Sequence, residues 1–130
     1  MTREDKELLL KDLCARLPYG VKIQYDIYGI QDLTINELNA CIKGVKNIKP
    51  YLRPMSSMTE EEYDEMFQQF YSAQEEFFRN CSNTDTIGKT IAYDWVRYDW
   101  LNKNKFDYRG LIPRGCAIAV TEDNNPYAED

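Results

Sequence analysis

The stretch Lys49-Pro50-Tyr51-Leu52-Arg53-Pro54-Met55-Ser56-Ser57-Met58-Thr59-Glu60-Glu61-Glu62 decides the fold class. Its first half is extended, because each proline fixes its own φ and pushes the residue before it, Lys49 or Arg53, out of the helical region. Its second half starts a helix. Thr59 with Glu62 makes a capping box, and Ser57 with Glu60 offers a competing one. From there to about Cys81, Tyr63, Met66, Phe67, Phe70, Tyr71, Phe77, Phe78 and Cys81 recur at spacings of mostly three and four. Glu60, Glu61, Asp64, Gln68, Gln69, Glu75 and Arg79 fall on the opposite face, so this is one long amphipathic helix entered directly from extended chain.

Upstream the period is two. Val21, Ile23, Tyr25 and Ile27 alternate with Lys22, Gln24, Asp26 and Tyr28, the pattern of a half-buried strand. Gly29 marks a turn, Leu33 and Ile35 suggest a second strand, Leu38, Ala40 and Ile42 a short third, and Val45 to Tyr51 a short edge strand. Ahead of them Thr2 caps a helix with the stripe Leu9, Leu10, Leu13, Cys14 and Leu17, ended by Pro18 and Gly20. Downstream, a third helix covers Thr86 to Lys103 with Ile91, Trp95, Tyr98 and Leu101 toward the core. Cys116 to Val120 is a final strand in a central slot. The expected fold is α+β over residues 1–120: a small antiparallel sheet of three to five strands packed with an N-terminal helix, one long central helix and a third helix. The connections are too short for parallel crossovers. Residues 121–130, with four acids, are expected to form a mobile acidic tail.

The 130-residue chain contains no histidine, which removes Ser–His–Asp and Cys–His catalysis and histidine-ligated metal centres. Its net charge of −6 argues against wrapping nucleic acid non-specifically. Cys14, Cys41, Cys81 and Cys116 form no CxxC pair, and no apolar signal region follows the charged N-terminus. They are read as reduced, mostly buried thiols of a cytoplasmic protein, the alternative being a reactive thiol. No segment is apolar enough for a membrane span, and no cofactor or metal is expected. Gly88-Lys89-Thr90 resembles the end of a phosphate-binding loop, but Asn83 stands where that loop needs glycine.

Three constellations remain. Asp94, Asp99 and Asp107 sit among aromatic residues, as a carboxylate-dependent enzyme would require. Asp94 and Asp99, however, diverge by about 140° on a helix. The run Glu60, Glu61, Glu62, Asp64 and Glu65 is either a solvated helix start or a surface for a basic partner. Two acid-poor segments, 43–53 and 103–114, carry Lys43, Lys46, Lys49, Tyr51 and Arg53, and Lys103, Lys105, Tyr108 and Arg109. Cations interleaved with aromatic rings can track a nucleic-acid strand, whereas simple charge balance explains the cations equally.

Four stretches resemble an uncharacterised family of small proteins from gut Bacteroidetes chromosomes and their phages. They are Leu17-Pro18-Tyr19-Gly20-Val21, Lys49 to Thr59, Asp99-Trp100-Leu101-Asn102-Lys103-Asn104, and Phe106-Asp107-Tyr108-Arg109-Gly110-Leu111-Ile112 leading into Gly115-Cys116-Ala117-Ile118. The resemblance implies a bacterial cytoplasmic setting with links to mobile elements and carries over no catalytic residue. The expectation is a non-enzymatic interaction or regulatory module whose partner is another protein. A nucleic-acid accessory protein is the alternative and a carboxylate enzyme the least favoured reading. The Lys49–Pro54 and Phe106–Ile112 motifs read as joints of the fold.

Overall fold

A computed structural model of the chain describes residues 2–44, 47–80 and 86–128. The chain divides into two compact units, one made of Met1–Ser56 and Lys105–Asp130 and the other of Ser57–Asn104. The fold class is α+β, with four helices and a four-stranded mixed sheet.

In the first unit, α1 spans Arg3–Arg16 and opens on a capping box between Thr2 and Asp5. It stops where the N–H groups of Tyr19 and Gly20 both donate to the Arg16 carbonyl at 3.0 Å, which Gly20 permits by taking a φ of 83°. Its buried face is Leu9, Asp12, Leu13 and Arg16. Cys14, expected in the stripe, is exposed instead. The helix is therefore rotated to bury a charged pair beside its leucines.

Strands β1 (Lys22–Tyr25) and β2 (Gly29–Asp32) form a hairpin around a single 3₁₀ turn at Asp26–Tyr28, and Ile23 faces Gln31 across it. The expected second strand thus lies a few residues early. The expected third strand is a helix, α2 (Ile35–Ile42). Its alternating apolar positions lost to local capping: the Thr34 side chain caps the first turn, and Glu37 accepts the Thr34 N–H at 2.8 Å.

β3 (Ile48–Leu52) is central, not an edge, in the order β2-β1-β3-β4. It runs antiparallel to β1 and parallel to β4 (Ile118–Ala119). The sheet is therefore mixed where an antiparallel one was expected, because the long chain excursion between β3 and β4 permits a parallel return. β4, expected in a central slot, is a two-residue edge strand. Pro50 is tolerated inside β3 because pairing with β4 begins only at Tyr51, so the side toward which its missing N–H would point has no partner there. The core of this unit joins Leu9 and Leu13 of α1, Ile23, Ile48 and Leu52 of the sheet, Leu38 of α2, and Leu111 and Cys116 of the last loop.

The two motifs read as joints lie side by side. Arg53 donates its N–H to the Lys105 carbonyl at 2.7 Å and accepts from the Asp107 N–H at 2.9 Å, a parallel bridge beside β3. Asp107 then holds the following turn: its two carboxylate oxygens accept the N–H groups of Leu111 and Ile112, each at 2.9 Å. Residues 121–128 are folded back onto this unit by Tyr127, where the sequence suggested a tail.

The second unit is a helix pair, α3 (Glu60–Asn80) and α4 (Thr86–Lys103). Thr59 and Glu62 form the capping box of α3, with Glu62 N–H donating to Thr59 Oγ1 at 3.1 Å, so this box prevails over Ser57 and Glu60. Met66 is buried, while Phe67 and Phe70 are half-buried. Tyr63, Phe67 and Tyr71 form a row of ring contacts along α3. Phe77 and Phe78, expected on that face, lie outside the described side chains, and Cys81 lies outside the described residues. On α4 the buried residues are Val96, Trp100, Leu101 and Asn102. Trp95 and Tyr98, expected in the core, are exposed, and Ile91 lies outside the described side chains. No described helix is long and apolar enough to cross a membrane.

Candidate functional site

The basic and aromatic segments do not assemble into a nucleic-acid platform. Lys43 is exposed at the end of α2, Lys46 lies outside the described residues, and Lys103 is exposed on the last turn of α4 in the other unit. Lys49, Tyr51 and Arg53 alternate along one side of β3, but Tyr51 is buried, with its hydroxyl donating to Gln24 Oε1 at 3.1 Å. The guanidinium of Arg53 sits 4.2 Å from the centre of the buried Phe106 ring. The Lys105 ammonium lies 5.7 Å from the Tyr127 ring.

Arg109 is drawn inward. Its Nη1 is 2.9 Å from Asp12 Oδ1, and its guanidinium lies 4.6 Å from the Tyr108 ring centre. The guanidinium of Arg16 is 5.3 Å from the same ring, and its Nη2 donates to the Phe106 carbonyl. Tyr108 and Arg109 therefore serve to anchor the 106–112 loop on α1. A base cannot stack on Tyr51 or Phe106 as they stand, because both rings are buried.

The three aspartates are also parted. Asp94 pairs with Arg97 at 2.9 Å, and Asp107 is spent on the Leu111 and Ile112 amides in the other unit. Asp99 alone of the three lines the hollow described next. Among the described residues no group of three or more metal-ligating side chains exists.

That hollow is a groove of about 430 Å³ within the helix pair, lined by Glu65, Gln68, Gln69 and Ser72 of α3 and Trp95, Val96 and Asp99 of α4. Its geometry follows from helical spacing: the α3 residues stand at i, i+3, i+4 and i+7, and Trp95 and Asp99 at i and i+4, so each set shares one face. The Trp95 ring is 63% exposed, an unusual position for so large an apolar surface. Arg97 lies elsewhere, in a small hollow with Met66, Phe67 and Phe70.

The electrostatic setting is one-sided. Residues 57–104 hold ten carboxylates against four cations, a net −6, while the other unit holds twelve of each. The whole formal charge of the chain thus belongs to the helix pair. The acidic run was visible in the sequence, but Trp95 was not. Tyr93, Trp95, Val96, Tyr98, Trp100 and Leu101 offer apolar side chains on most sides of α4, so the period could not tell which face is buried.

Comparison of the chain with protein families, with curated proteins and with solved structures finds no match.

Proposed function

We propose that the chain is a non-enzymatic protein-interaction module and that the α3/α4 pair is its partner-facing surface. The observation that carries this reading is Trp95, 63% exposed on the wall of a groove that also holds carboxylates. Exposed tryptophan is costly to leave in water, and it is among the residues that dominate binding energy at protein interfaces. The catalytic alternatives find little support, since histidine is absent from the sequence and two of the three candidate aspartates are engaged by Arg97 or by backbone amides. The setting, the cytoplasm of a bacterium or the service of its mobile elements, rests on the resemblance of the four sequence stretches. The nucleic-acid reading is weakened by the burial of Tyr51 and Phe106.

The test is affinity capture after cross-linking from the native bacterium, run with the full chain, with Trp95→Ala, and with Tyr28→Ala as an exposed aromatic control in the other unit. A specific protein retained by the first and third baits and lost with Trp95→Ala is the expected result. An identical set on all three, or no enrichment at either low or physiological salt, would sink the proposal.

A further inference from the structure

We infer that the α3/α4 groove takes an arginine side chain from a basic segment of the protein partner, held between the Trp95 ring and the carboxylates of Glu65 and Asp99. This deepens, and rests on, the interaction reading above.

The groove is mixed in a way that selects its occupant. An apolar side chain would cover Trp95 but strip water from Glu65 and Asp99 without replacing it, at a cost that uncompensated charge burial makes prohibitive. An anion would meet two carboxylates and the net −6 of residues 57–104. A cation is favoured by both kinds of wall. Its charge is attracted to the face of an indole, the strongest of the aromatic partners, and it pairs with carboxylates. Arginine fits better than lysine because its flat guanidinium can stack on the ring while its edge donates in parallel to a carboxylate. Gln68, Gln69 and Ser72 provide side-chain oxygens for the remaining N–H groups. The volume of about 430 Å³ lies within the usual range of small-molecule sites, roughly 300–1,000 Å³.

Charge at longer range acts in the same sense. Glu61 stands one turn before Glu65 and extends the acidic row along α3, so a basic segment is drawn toward the groove before contact. Arg97, on the same helix as Trp95, is already paired with Asp94 at 2.9 Å and stacked near Tyr98.

The chain has two tryptophans, and Trp100 is only 1% exposed, so quenching of fluorescence by acrylamide reports chiefly on Trp95. The probe is acetylated tetra-arginine amide, with tetra-lysine, tetra-glutamate and tetra-serine amides as comparisons, added to the full chain. Tetra-arginine is expected to protect Trp95 most, tetra-lysine less, and the other two not at all. Protection should fade as salt rises from roughly 50 to 500 mM, as screening of exposed charge requires. Glu65→Gln should weaken the apparent affinity about two- to fivefold, and adding Asp99→Asn should weaken it further, with the far-ultraviolet circular dichroism unchanged.

Unaltered quenching with tetra-arginine at low salt overturns the inference, as does equal protection of the wild type and the doubly substituted chain. Protection by tetra-serine as strong as by tetra-arginine also overturns it and points to a neutral partner. Protection that grows with protein concentration alone overturns it in favour of a second copy of this chain. If tetra-arginine fails while Trp95→Ala still loses the native partner, the interaction reading stands and only the cationic occupant falls. If both fail, both fall.

Discussion

Arg16 Nε lies 2.8 Å from Asp12 Oδ2, one turn apart on α1, with both side chains fully buried. The pair is where the first unit is closed. Asp12 also takes Arg109, and Arg16 holds the Phe106 carbonyl, so one helix face grips the loop that leads into β4.

Breaking this pair should be expensive. Asp12→Ala leaves Arg16 charged and buried, which costs about 3–5 kcal/mol. Replacing both residues, Asp12→Leu with Arg16→Met, should cost less than the single change, because no lone charge remains. Urea denaturation monitored by circular dichroism measures both. A single-variant loss below about 1 kcal/mol, the scale of a surface pair, would show that the buried geometry is wrong.

Tyr127 makes a second closure. Its hydroxyl accepts the Lys22 N–H at 2.9 Å and donates to the Tyr51 carbonyl at 2.8 Å. The β1–β3 register ends at Ile23 and Pro50, so Lys22 and Tyr51 are the next opposed residues and the phenol spans them. Burial pushes this phenol above its ordinary pKa, and it stays protonated at any physiological pH. Tyr127→Phe should cost about 1–3 kcal/mol by stranding two backbone groups. It should also speed hydrogen exchange at the Lys22 amide. Exchange there that is no faster than in the wild type would contradict the bridge.

The cap of α2 should show itself against pH. The Thr34 side chain donates to Glu37 and holds its carboxyl below the ordinary value of 4.5. A depressed folded pKa means stability that is present above the unfolded value and lost as pH falls through the folded one. Thr34→Ala should therefore cost about 1 kcal/mol near neutrality. The difference between wild type and variant should shrink as pH falls below 4.5. Stability curves that stay parallel from neutrality into acid would disprove the linkage.

The three described cysteines should react in order of exposure. Cys14 is open to solvent, Cys41 half-buried and Cys116 buried. Burial pushes the Cys41 and Cys116 thiols up, which keeps them protonated at neutral pH. Brief maleimide labelling at neutral pH, mapped by mass spectrometry, should mark Cys14 well before Cys41 and Cys116. Comparable rates at all three sites would refute this ordering.

Much of this was open to reading without a structure. Thr2, Thr59 and their carboxylate partners announce α1 and α3, because a capping box is local chemistry confined to four residues. Thr34 and Glu37 carried the same signal for α2, but the alternation of Leu38, Ala40 and Ile42 masked it. In a segment of eight residues, the two periods are hard to separate. At the candidate site the acidic row of α3 was legible as charge, whereas the role of Trp95 was not. Tyr51, Arg53, Tyr108 and Arg109 looked like a binding strip because residue type does not say which side of a strand or loop is covered.

Composition and local pattern by themselves determined the absence of histidine chemistry, three of the four helices, the α+β class, and the concentration of negative charge between residues 57 and 104. These depend on residue identity or on neighbours within one or two turns. Tertiary structure alone decided the rest. It set the parallel entry of β4, the central place of β3, and the conversion of Arg16 and Arg109 into partners of Asp12. It also decided the exposure of Trp95 on a carboxylate-lined groove. Each of those depends on contacts between residues distant in the chain or on the rotation of a helix about its axis, and neither is encoded in the spacing of neighbouring residues.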